Sequence, residues 1–236
     1  NGARDCKNLN KLIELLQIPV LTTWRAADLI EEKHPLYIGR PGLIGQRAAN
    51  LIQQKSDFIL CLGARLDSGQ VAFDLDNFAP KATKVVVDID ENELNKLSCK
   101  YKINSDSNSF IEWFLTKKIK NNCFSWVEKA NLLKEKYSLQ KESCGIPVYD
   151  FIYLLSKSMD ENDILIPGSS GTAAEVTLQA FNVKRGQRII NSPGLGSMGF
   201  GIPASIGACI ASGRKNTVCI EGDGSFIMNV QELEII

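Results

Sequence analysis

The chain has 236 residues, 44% hydrophobic and 23% charged, which is ordinary globular usage and enough for two modest cores. Its 27 Lys and Arg balance 27 Asp and Glu, so no bulk field recruits nucleic acid or an anionic membrane. No apolar run approaches the ~20 residues that span a bilayer, and the single histidine, His34 before Pro35, supports neither a His-based metal cluster nor a Ser-His-Asp triad.

In chain order, residues 18–23 read as a strand, 47–54 as a helix, 57–62 as a buried strand and 84–90 as another. Short continuous apolar strands separated by helices imply a parallel sheet covered on both faces. This first α/β domain is expected to run to residue 118. The cluster Lys117-Lys118-Ile-Lys120 reads as a solvated helix face. Residues 119–146 are polar and Lys-rich, with Trp126, Leu132, Leu133 and Tyr137 at helical spacing, and end in Ser143-Cys-Gly-Ile-Pro147. They read as a connecting helix and linker whose apolar stripe docks on a neighbour.

A second alternating unit follows over 147–236: helix 149–158, strand 163–166, helix 173–181, strand 188–190, helix 201–211 and strand 217–220. The fold class is thus α/β, two doubly wound parallel-sheet domains, the second incomplete. The seven cysteines, at 6, 61, 99, 123, 144, 209 and 219, are odd in number and show no Cys-x-x-Cys spacing. Cys61, Cys209 and Cys219 read as small buried hydrophobes, and a reducing cytoplasm is the expected compartment.

Ligands of open α/β sheets bind outside the carboxyl ends of the strands. Three such ends are expected to converge here: residues 167–172, 191–198 and 222–225. Gly222 and Gly224 leave no Cβ between backbone and ligand, Asp223 supplies a hard oxygen for a divalent cation, and Ser225 can offer a hydroxyl to phosphate. The same tetrapeptide also occurs as an ordinary turn. Upstream, Gly199, Gly201 and Gly207 suit close backbone packing, and a helix opening there would point free N–H groups at a diphosphate.

Two stretches, residues 194–208 from Gly194-Leu-Gly-Ser-Met198 onward and Glu221-Gly-Asp-Gly-Ser-Phe-Ile-Met-Asn-Val-Gln-Glu-Leu233, resemble the thiamine diphosphate-dependent enzymes, specifically their acetolactate synthase-like branch. The resemblance implies thiamine diphosphate held through Mg²⁺ on Asp223, with Gly171, Thr172, Gly196, Ser197, Met198, Gly222, Gly224 and Ser225 as cofactor contacts. Met198 would sit under the coenzyme and enforce its bend; filler before a helix is the other reading of that residue. Gly171-Thr172-Ala173 stands where the family usually has Gly-Gln-His, so Thr172 retains one hydroxyl donor and Ala173 only its backbone.

The implied activity is decarboxylation with carboligation of 2-keto acids in a cytoplasmic homodimer or homotetramer, with no nucleic acid or membrane partner. Another thiamine diphosphate-dependent decarboxylase or lyase is the nearest alternative. A nicotinamide dehydrogenase is poorly matched, because no Gly-x-Gly-x-x-Gly opens a helix after a first strand; a non-catalytic binding module is a further alternative. The abrupt start at Asn1-Gly-Ala-Arg4 and the end at Ile236 read as those of a fragment. The activating Glu is expected in a preceding domain and a second metal ligand further on, so no catalytic residue is expected within the chain.

The first domain resembles the family's middle domain through residues 39–50, 62–67 and 87–90. Those loops contact FAD in the synthases. Gln46-Arg47 and Ser68-Gly69 depart from the usual text and weigh against FAD, whose contacts would be Arg65 and Asp90.

Overall fold

The computed structural model describes residues 8–117, 119, 121, 123–139, 147–169, 171–192 and 194–236. The opening Asn1–Arg4, Cys6, Lys118, Lys120, Cys144 and the rest of 143–146, Ser170 and Pro193 lie outside the described residues. The chain forms two compact units. The first runs to Ala26 and resumes over Pro35–Tyr137; the second takes Ala27–His34 and the residues from Ser138 onward.

In the first unit, α1 (Leu9–Leu16) carries Leu9, Leu12, Ile13 and Leu16 at the spacing of one helix face. Leu12 packs into a cluster with Val87, Phe110 and Ile111. β1 (Val20–Leu21) pairs in parallel with β2 (Tyr37–Gly39). The expected strand over 18–23 contracts to two residues because Pro19 has no N–H to donate and the chain turns into a 3₁₀ segment at Trp24–Ala26. The Val20 N–H still reaches Leu36 O at 2.7 Å, and the Thr22 N–H reaches Gly39 O at 3.1 Å. α2 (Arg47–Lys55) follows where the sequence places it.

β3 (Phe58–Leu62), β4 (Thr83–Asp88) and β5 (Tyr101–Asn104) form a parallel sheet in the order β3-β4-β5, joined through α3 (Ser68–Val71), α4 (Glu91–Asn95) and followed by α5 (Ser107–Leu115). β4 stops short of residue 90 because Asp90 leaves the ladder to cap α4, accepting the Asn92 N–H at 2.9 Å. Asp67 and Asp106 cap α3 and α5 in the same way. α6 (Phe124–Lys136) rests Ala130, Trp126, Leu133 and Tyr137 on Ile38, Ala48 and Ile52. Leu132, read as part of that stripe, faces outward at 61% exposure.

In the second unit, α7 (Val148–Ser158) precedes β6 (Ile164–Pro167), whose four residues are all buried. β6 is the middle of a parallel sheet in the order β7-β6-β8, with β7 at Arg188–Ile189 and β8 at Thr217–Ile220. A strand between two partners and covered by helices reads as an unbroken apolar run, which is why Ile164-Leu-Ile166 was recognisable. The expected helix over 173–181 is instead a π-helical turn at Thr172–Val176 continued by α8 (Thr177–Ala180). α9 (Gly201–Ala211) and α10 (Asp223–Met228) complete the unit, with a 3₁₀ segment at Val230–Ile235.

The Ala27–His34 segment lies along this unit. Asp28 Oδ2 accepts the Ile189 N–H at 2.8 Å and pairs with Arg188 Nε at 3.3 Å, while the Glu32 N–H donates to Val183 O at 2.9 Å. Among the described residues no helix is long and apolar enough to cross a membrane.

Burial pushes the Cys61 thiol up to about 12. At about pH 8 roughly one part in ten thousand of that thiol is ionised, and the thiolate is the nucleophile. Iodoacetamide mapping by mass spectrometry on the native protein is therefore expected to label the half-buried Cys123 and spare Cys61 until denaturant is added. Equal labelling of both would contradict the buried environment.

Candidate functional site

The segments that follow β6, β7 and β8 meet at the carboxyl end of the second sheet, as the sequence pattern predicts. Ser169 Oγ, two residues beyond β6, lies 3.0 Å from Ser225 Oγ in the first turn of α10. Ser225 Oγ also accepts the Gly199 N–H at 2.7 Å, and Asn229 Nδ2 donates to Gly199 O at 2.8 Å. The loop after β7 is thereby held on both its backbone groups by the segment after β8.

Glycine is required at two of these points. Gly199 has φ +83°, and a Cβ there would lie 2.5 Å from Asn229 Nδ2; Gly196 has φ +55°, and a Cβ there would lie 2.9 Å from Ser169 O. Gly207, expected to serve close packing as well, has nothing within 4 Å of an added Cβ.

Gly222 caps α10 in an extended conformation, and the first intrahelical bond runs from the Phe226 N–H to Gly222 O at 2.8 Å. Helix geometry leaves the N–H groups of Asp223, Gly224 and Ser225 without a partner inside the helix. Asp223 is exposed, and a Cβ on Gly222 would meet open space. A Cβ on Gly224 would lie 3.5 Å from Met198 Cε, so the half-exposed thioether reaches over the glycine turn. Ser197 is exposed beside it. Gly171, at φ +57°, and Thr172 are exposed on the loop after β6, at the start of the π-helical turn.

Two details differ from the sequence reading. Ser225 is 6% exposed, and its hydroxyl is turned inward to Ser169 and Gly199 rather than outward to a phosphate. The opening N–H of α9 is not free either: the Gly201 N–H donates to Glu221 Oε2 at 2.8 Å. Ser169, Glu221 and Asn229 are site-building residues that sequence reasoning passed over. Glu221 and Asn229 lay within the recognised stretch, but the contacts of all three join positions 20 to 56 residues apart in the chain.

Burial, with the neighbouring Glu221 charge, pushes the Cys219 thiol up to about 11. Among the described residues no three His, Cys, Asp or Glu side chains converge on a metal position. The open glycine turn, the outward carboxylate and the overlying thioether fit a metal-bound diphosphate coenzyme.

The two residues named as flavin contacts have protein partners in the first unit. Arg65 pairs with Glu93 at 3.2 Å and Asp90 is engaged as the α4 cap. The Lys96 ammonium, bonded to Glu93 at 2.6 Å, holds that carboxyl below its ordinary range, with Arg65 adding to the effect. The adjoining cavity in the first unit, lined by Arg65, Asp67 and Glu93 among others, is about 150 Å³.

Two family models match the chain. The model described as "Thiamine pyrophosphate enzyme, central domain" matches residues 2–114, and "Thiamine pyrophosphate enzyme, C-terminal TPP binding domain" matches residues 169–236. The chain is 33% identical to the acetolactate synthase isozyme 2 large subunit of Escherichia coli (strain K12) over 95% of its own length and 41% of the relative's. It is 31% identical to the isozyme 1 large subunit of the same organism, over 95% of this chain and 40% of that one. A probable acetolactate synthase large subunit of Methanococcus aeolicus is 31% identical over 100% of this chain and 42% of its own. The chain thus spans about two-fifths of the length of these relatives. With both domain types matched in order and the open Gly222–Ser225 turn inside the second, the chain belongs to the thiamine pyrophosphate enzyme family.

Proposed function

We propose that the chain is the middle and diphosphate-binding part of a thiamine diphosphate- and Mg²⁺-dependent enzyme that decarboxylates 2-keto acids and joins the product to a second carbonyl compound, as in acetolactate formation. The observation that carries the reading is the exposed Asp223 carboxylate between two glycines, on a turn clamped from behind by Ser225. When bound, thiamine diphosphate supplies the carbon nucleophile and the electron sink. Asp223 would hold the Mg²⁺, and the exposed main chain of Gly222 and Gly224 would serve the diphosphate. Met198, with Gly196 and Ser197, would contact the coenzyme from the loop after β7, and Gly171 and Thr172 would do so from the segment after β6. Ser225 positions the turn. The intact enzyme is a cytoplasmic homodimer or homotetramer.

The relatives' names support the acetolactate branch, and the Thr172-Ala173 departure keeps a related decarboxylase or lyase as the neighbouring reading. Thermal denaturation of the chain with thiamine diphosphate plus Mg²⁺ tests the assignment. Occupancy at a hundred times Kd adds about 2.7 kcal/mol of stability, and the gain is expected to vanish when EDTA removes the metal. No shift with the pair, or an equal shift without metal, would overturn it.

A further inference from the structure

Glu221 stands between β8 and the Gly222 turn, and its carboxylate folds back into the unit. Oε2 accepts the Gly201 N–H at 2.8 Å, and Oε1 accepts the Gly222 N–H at 3.3 Å. Room for it comes from two glycines on two other segments. A Cβ on Gly168, after β6, would collide with Oε1, and one on Gly201, at the start of α9, would collide with Oε2. One carboxylate therefore occupies the point where the segments after β6, β7 and β8 come together.

The position suits an anion. The first turn of an 11-residue helix presents N–H groups without intrahelical partners and the positive end of the helix dipole, and a carboxylate acceptor makes the stronger, charge-assisted form of hydrogen bond. The Met198–Gly201 loop is then fastened to the Glu221–Asn229 stretch at two places: at Gly199 by Ser225 and Asn229, and at Gly201 by Glu221. Met198 flanks the first attachment, and Asp223 lies two residues beyond Glu221.

We propose that Glu221 is a positioning residue of the coenzyme site: its carboxylate ties the start of α9 to the Gly222 turn and so keeps the Met198 thioether and the Asp223 carboxylate at one separation. The role needs an acceptor of this reach rather than a charge. It rests on the reading of Asp223 as the metal-binding group.

The test compares the full chain with E221A and E221Q by amide hydrogen exchange and by titration with thiamine diphosphate plus Mg²⁺, at a temperature where circular dichroism shows each variant folded. In E221A, exchange at Gly201 and Gly222 is expected to rise about tenfold and coenzyme affinity to fall about tenfold, the scale of one lost hydrogen bond to a charged group. E221Q, whose single amide oxygen can accept the Gly201 N–H but leaves only an NH2 toward the weaker Gly222 contact, is expected to stay within about threefold in Gly201 exchange and in affinity. Should E221A fail to fold, E221D takes its place, since its shorter side chain keeps the charge but does not reach Gly201. Unchanged exchange at Gly201 overturns the tie, and faster exchange with unchanged affinity overturns the positioning role. A wild-type chain that takes up no coenzyme overturns the reading of Asp223 instead, and the exchange data then decide the tie alone.

Discussion

Asp223→Asn is expected to weaken Mg²⁺-dependent binding of thiamine diphosphate by about a hundredfold or more, measured by calorimetric titration. The substitution keeps size and one carbonyl oxygen but removes the anionic charge that a hard divalent cation selects. A hundredfold corresponds to about 2.7 kcal/mol, a modest loss for a carboxylate facing a doubly charged ion. The unliganded protein should hardly notice. Asp223 is exposed, and a carboxylate in the first turn of a helix contributes only about 0.3–1 kcal/mol through the dipole. A normal melting curve without ligand, joined to a lost ligand-induced shift, is the expected pair of results. Retained metal-dependent binding would show that another group holds the cation.

The second large effect is on stability, at Arg40. This side chain follows β2 and is 1% exposed. Its Nη1 donates to Tyr37 Oη at 3.0 Å, Tyr37 Oη lies 2.9 Å from Thr22 Oγ1, and the Arg40 N–H donates to Gln46 Oε1 at 2.8 Å. Arg40→Ala would leave a cavity and strip a donor from a buried polar network. Such changes cost about 3–5 kcal/mol, a large share of the ~5–15 kcal/mol that holds a domain together. Tyr37→Phe, which deletes one hydroxyl and keeps the ring, should cost only about 1–3 kcal/mol. Urea denaturation of the two variants checks the order, and an Arg40→Ala loss below about 1 kcal/mol would contradict the network.

What was readable in the sequence followed signal strength. The helix at 201–211 and the strand at 217–220 were placed with the bounds they adopt, because each is a continuous apolar or small-residue run ended by polar residues. The meeting of three strand ends followed from sheet topology alone. β5 was missed because Tyr101-Lys-Ile-Asn104 is mostly exposed and carries no apolar run, and β2 because three buried residues are too few to show a period. The π-helical turn at Thr172–Val176 has no periodic signature that separates it from α-helix. Within the site the outward groups were legible and the inward ones were not. Asp223 and Met198 stand in a recognisable text, but the inward hydroxyl of Ser225 depends on Ser169, 56 residues earlier. The fate of the first α9 N–H depends on Glu221, 20 residues later.

The short Ala27–His34 segment bears on how the second unit survives by itself. β7 is an outer strand of its sheet, and the segment blunts that flank with Asp28 against the Ile189 N–H and the Arg188 guanidinium. Bare outer strands are templates for intermolecular pairing. A polypeptide started at residue 138 would retain the coenzyme turn yet leave β7 unguarded, and would tend to self-associate through it. Supplying residues 27–34 as a separate peptide should then restore monodispersity.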